Sequence, residues 1–111
     1  MAETLRSDGR AVEVVVTTAV AKGDAVLADD WHGIAMGSAS SGETVALEIA
    51  AREHEINIGS VVAAKGALLY LDATTGAITA TSSGNRPFIK VTVAKDANNY
   101  VWGILLPQTT V

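Results

Sequence analysis

Two histidines, His32 and His54, are the side chains whose ordinary pKa lies nearest neutrality, and each stands among carboxylates. Asp29, Asp30 and His32 fall within four residues, donors of a kind that can coordinate a cation. Their spacing is not that of the twelve-residue calcium loop, and Trp31 sits among them. The stretch therefore reads foremost as a turn whose Asp side chains bond local backbone N–H groups. The run Arg52-Glu53-His54-Glu55 begins like a zinc-protease signature, but Ile58 occupies the position where the second His is needed. In an extended chain Glu53 and Glu55 share one face and His54 takes the other, the pattern of an exposed strand end. No Gly-x-Ser-x-Gly elbow and no Gly-Lys-Ser/Thr phosphate loop occurs, and the chain has no cysteine for a thiolate site or a disulfide. The expectation is a protein with no catalytic residue, no metal, no cofactor and no enzyme activity.

Composition narrows the remaining classes. The 111 residues carry a formal net charge of −4, with the basic residues scattered singly, so no cluster is available to displace counterions from a phosphate backbone. No apolar run approaches the roughly 20 residues of a membrane span, and the opening MAETLRSDGR has no apolar stretch behind its charges. Nucleic acid, membrane and small-molecule substrate are accordingly not expected as partners. Apolar residues make up 49% of the chain but are mainly Ala and Val, with five aromatics. This predicts a thin core of small side chains, little room for an enclosed ligand pocket, and a benefit from subunit contacts.

The elements read as strands. Residues 1–11 are polar and aperiodic, a mobile N-terminal arm; residues 12–111 form a single β domain. Val12, Val14 and Val16 alternate, as do Val45, Leu47 and Ile49. Between Arg52 and Glu55 the apolar positions change parity to Ile56 and Ile58, which requires a bulge or turn. Segment 60–66 suits a helical turn or a strand equally. Further strands are expected over 67–71, 77–81 and 88–93, with a last one carrying Tyr100, Trp102, Ile104 and Leu106 on one face. Short strands at intervals of about ten residues, with Gly, Asp and Asn between them, predict an all-β small antiparallel β-barrel or sandwich. VAKGDAVLADDWHGIA at 20–35 returns as AAKGALLYLDATTGAI at 63–78, an offset of 43 that superposes Lys22 on Lys65, Gly23 on Gly66 and Gly33 on Gly76. The domain thus reads as two similar halves, each with a Lys-Gly turn, a strand, an Asp-to-Gly turn and a return strand.

Five segments carry a family likeness: Val14-Val15-Val16-Thr17, Lys22-Gly23-Asp24-Ala25-Val26, Gly33-Ile34-Ala35, Gly42-Glu43-Thr44-Val45-Ala46-Leu47 and KGALLYLDATTGAITATSSGN at 65–85. In this order they resemble the small capsid cement, or head decoration, proteins of tailed bacteriophages. The resemblance implies a structural virion protein, made in the host cytoplasm, that stabilises the shell from the capsid exterior. It implies a homotrimer whose partner is the major capsid protein. On that reading residues 1–12 pack against the capsid, and Glu3, Leu5, Arg6, Arg10, Trp31 and Trp102 are the candidate capsid or partner contacts. Each Trp also suits a core position, and the sequence leaves the two placements open. The competing reading is a small β-clip-like ligand-binding accessory module, which the turn and acidic residues of VAKGDAVLADDW resemble.

Overall fold

The computed structural model describes residues 9–108. Nine strands follow one another, with no helix among the described residues: β1 (Ala11–Val15), β2 (Ala25–Ala28), β3 (Trp31–Ala35), β4 (Thr44–Glu48), β5 (Glu53–Asn57), β6 (Leu68–Leu71), β7 (Ile78–Thr79), β8 (Arg86–Val93) and β9 (Tyr100–Leu105). They form two antiparallel sheets, ordered β1-β4-β3-β2 and β5-β9-β8-β6-β7. This is the all-β class that the strand spacing predicts. At the change of apolar parity the chain leaves the first sheet through a turn in which Arg52 N–H donates to Ala50 C=O at 2.8 Å. β5 then opens the second sheet, with Ile56 and Ile58 buried. Segment 60–66 forms neither helix nor strand, and the strand expected over 77–81 shortens to Ile78–Thr79. Because β1 starts at Ala11, the expected arm reaches the sheet one residue earlier than its boundary.

The repeat appears in the hydrogen bonds, where the offset of 43 holds at the Lys-Gly turns and changes beyond them. At the two Lys-Gly turns, Asp24 N–H donates to Ala21 C=O and Ala67 N–H to Ala64 C=O, both at 3.0 Å. Gly23 and Gly66 have φ of 92° and 88°, values that strain a residue bearing a Cβ. Gly23 N–H then donates to Ala35 C=O and Ala35 N–H to Asp24 C=O. In the second half Gly66 N–H donates to Val91 C=O and Val91 N–H to Ala67 C=O. The return strand equivalent to β3 is therefore β8, not residues 77–81. The Asp72–Gly76 turn and β7 are additions to the second half. The same matching pairs β1 with β5 and β4 with β9. Val16 N–H donates to Glu43 C=O as Ile58 N–H does to Asn99 C=O, and Ile49 N–H to Arg10 C=O as Leu105 N–H does to Arg52 C=O. With β7 set aside, the two sheets have one strand order.

Each half packs its own core. Val14, Val16, Val26, Ala35 and Val45 are buried in the first, and their equivalents Ile56, Ile58, Leu69, Val91 and Val101 in the second. Val, Ile and Leu with Phe88 form this interior, and the buried alanines are Ala35 and Ala63. The core is thus larger in side chain than composition implied, because most alanines lie in turns or on outer positions. One core site is filled from opposite strands in the two halves. A Cβ on Gly33 of β3 would lie 3.1 Å from Leu47 Cβ of β4 and 2.5 Å from Glu48 O. At the equivalent places β8 carries Ile89 and β9 carries Gly103, whose added Cβ would lie 2.9 Å from Ile89 Cδ1. One large residue and one glycine share the space each time, as close packing requires.

Candidate interaction surface

The residues suited to chemistry are mostly engaged in structural bonds where the two halves meet. Asp29 and Asp30 are the central pair of the two-residue β2–β3 turn, with φ of 51° and 61°, the left-handed geometry of a type I′ hairpin that Asp tolerates. Asp29 Oδ2 accepts from Val15 N–H at 2.9 Å, whereas Asp30 Oδ1 accepts from Arg86 Nη1 at 2.6 Å. His32 turns inward and is fully buried. Its Nε2 lies 2.8 Å from Leu106 O, so it carries the proton there, and Nδ1 accepts from Arg86 Nε at 3.0 Å. Arg86 Nη2 also donates to Asp30 O and Gln108 Oε1, while Gln108 Nε2 donates to His32 O at 2.7 Å. Asp29 bonds the local backbone as the turn reading expects, while Asp30 and His32 both face Arg86. Among the described residues no group of three His, Cys, Asp or Glu could hold a metal ion.

This buried network joins β3, β8 and the segment after β9. Equivalent positions meet across it: Asp30 with Arg86, and His32 edge-on to Phe88 at a ring separation of 6.2 Å. Burial is the largest influence on His32 and lowers its pKa. The Leu106 carbonyl opposes this, and the Arg86 guanidinium lowers the pKa further. Neutral His32 is thus the acceptor that buried Arg86 needs. A proton on Nδ1 would set two donors against each other.

The Arg52–Glu55 run divides as an extended strand should. His54 Nε2 lies 3.8 Å from Glu48 Oε1, which Arg52 Nη1 approaches at 3.0 Å. Glu53 and Glu55 take the other face, where Glu53 Oε2 accepts from Thr92 Oγ1 at 2.5 Å and Glu55 Oε2 from Trp102 Nε1 at 2.7 Å. That face belongs to the outer side of the second sheet. β9 turns Val101, Gly103 and Leu105 inward and leaves Tyr100, Trp102 and Ile104 outside, the last two 44% and 40% exposed. Leu68 and Val93 extend the apolar surface. Beside it a shallow, almost wholly apolar groove of about 370 Å³ runs between Lys65, Lys90, Ile104 and Leu106.

A family model for the phage cement protein matches residues 6–105. The chain belongs to the phage cement protein family. No curated protein and no solved structure matches it. A cement protein is a structural component that binds the phage capsid.

Of the contacts expected for this cement protein, Trp102 lies on the outer face of the second sheet. Trp31 is 37% exposed at the start of β3, and Arg10 is exposed at the foot of β1. The structure does not gather these three into one patch of neighbouring strands. Glu3, Leu5 and Arg6 lie outside the described residues. Sequence reasoning missed Arg86 and Gln108, which hold the cement protein's halves together, and Leu68 and Val93 on the outer face. The one available signal was the Arg-x-x-Glu that opens both halves at 10–13 and 52–55, since it sets the register that makes faces comparable.

The two halves differ most on one outer face. In the first half a row of directly paired residues crosses the sheet as Ala25, Ile34, Glu48 and Ala11. The equivalent row in the second half is Leu68, Lys90, Ile104 and Glu53. Ala25 and Ile34 pack against the core of the second half. Leu68, Lys90, Ile104 and Glu53 are all exposed.

Proposed function

We propose that this cement protein attaches to the outside of the assembled phage head through the major capsid protein, acts there as a homotrimer, and catalyses no reaction. Synthesis in the host cytoplasm belongs to the same reading. The observation that carries it is the uncovered apolar face around Trp102 and Ile104, at positions where the first half has Ala46 and Glu48. The fold is built in the first half without large apolar residues there, so their presence in the second half answers to a partner. The groups with chemical potential support the same reading, because Arg86, His32 and Asp30 are spent on joining the halves.

Residues 1–8, with Glu3, Leu5 and Arg6, form the segment we assign to the capsid, together with Arg10. Removing residues 1–8 stops short of β1 and should leave the thermal unfolding midpoint within a few degrees of the full chain. Binding to purified empty heads, read by co-sedimentation, should be lost. Retained binding would remove the arm from the interface. Failure of the full chain to bind heads would contradict attachment itself.

A further inference from the structure

We propose that the outer face of the second sheet is where one copy of this chain joins another, the acidic margin of one copy meeting the basic margin of its neighbour. The inference rests on the reading of the protein as a multi-copy capsid component and adds the surface and its occupant.

Two observations select a second copy. The first is the internal comparison: the matching row of the first half, through Ala25 and Ile34, is covered by the other half of the same fold. The second is charge. Glu55 on β5 borders the apolar strip of Trp102 and Ile104 on one side, and Lys90 on β8 and Lys65 before β6 border it on the other, while Glu53 reaches across β9 to Thr92. A surface ordered negative, apolar, positive can meet an identical neighbour head to tail, the basic margin of one copy against the acidic margin of the next, a contact that a ring of three can close. The groove between Lys65 and Lys90 then receives an apolar side chain of the neighbour. The inner side of the same strands is the core, so the strip can be altered without removing core residues.

The test is the molar mass of the full chain by light scattering after size exclusion, across concentrations up to about 1 mM, with head binding measured separately. The wild type should self-associate, and Trp102→Ser combined with Ile104→Thr should weaken association at least about tenfold while unfolding at a similar temperature. Glu55→Lys and Lys65→Glu should each self-associate less than the wild type. An equimolar mixture of the two should associate more than either alone, a rescue that only contact between copies produces. A wild type that stays monomeric throughout the range, or a mixture no better than its parts, overturns the inference. If heads still bind in that case, the cement reading stands and only the self-contact fails. If the double variant keeps its mass but loses head binding, the face contacts the capsid instead.

Discussion

In the first half of the molecule the sheet face through Ala25, Ile34, Glu48 and Ala11 is partly closed against the second half. In the second half the same face, through Leu68, Lys90, Ile104 and Glu53, is open. Both halves share turn geometry, strand order and a matched set of buried residues. What differs is outside: Thr44, Ala46 and Glu48 on β4 against Tyr100, Trp102 and Ile104 on β9. The pair is an internal control, since what each half needs for its own sheet is present twice, and what joins the halves is the single Arg86–His32 network. A feature present once and away from that junction has another cause, and here the feature is a large apolar strip edged by opposite charges.

The comparison breaks most severely at the site the halves fill differently. Gly33→Ala places a Cβ 2.5 Å from Glu48 O, a backbone atom, and should cost about 3 kcal/mol or more in chemical denaturation. Gly103→Leu should also destabilise, but here the nearest obstacle is the tip of Ile89. Combining it with Ile89→Gly gives the second half the first half's arrangement, and the double variant should be more stable than the sum of the single changes by about 1 kcal/mol or more.

The next largest effect lies at the junction. Arg86→Ala leaves His32 Nδ1 without its donor and takes one of two partners from Gln108 Oε1, and the loss should be about 2–3 kcal/mol. Asp30, well exposed, adds little of this.

A smaller effect follows from His32. Folding lowers its pKa, so the unfolded chain takes up the proton first as pH falls. Its contribution to stability is complete above the unfolded value of about 6.5 and is lost as pH drops from there toward the folded value. The unfolding free energy should decline across this window by no more than about 1.4 kcal/mol per pH unit for the single proton, and His32→Gln should flatten the decline. The smallest effect on stability is expected for Trp102→Ala, within about 1 kcal/mol, because the side chain is 44% exposed. A larger loss would place Trp102 in the structure's support rather than on its partner surface.

Much of this architecture was legible because alternation and turn chemistry are local. β4 announces itself through Val45 and Leu47, and the Lys-Gly turns through the φ that only Gly takes freely. The pairing of halves was harder, because the Asp72–Gly76 turn and β7 interrupt the second copy and bring Gly76 into false register with Gly33. In β9 both faces are apolar, so periodicity marks a strand without saying which side faces in. The crowded position of Gly103 against Ile89 decides that, and only the folded chain shows it. The role of Arg86 was unreadable for the same reason: its partners Asp30 and His32 lie more than fifty residues away.

The most direct test of the central claim is hydroxyl-radical footprinting of the full-length protein, free and dilute in one sample and bound to phage heads in the other. The account predicts that Trp102, Ile104 and Leu68 become protected on the head, while Thr44 and Glu48, at the equivalent places of the first half, label alike in both states. Equal labelling of Trp102 and Ile104 in the two states would contradict it.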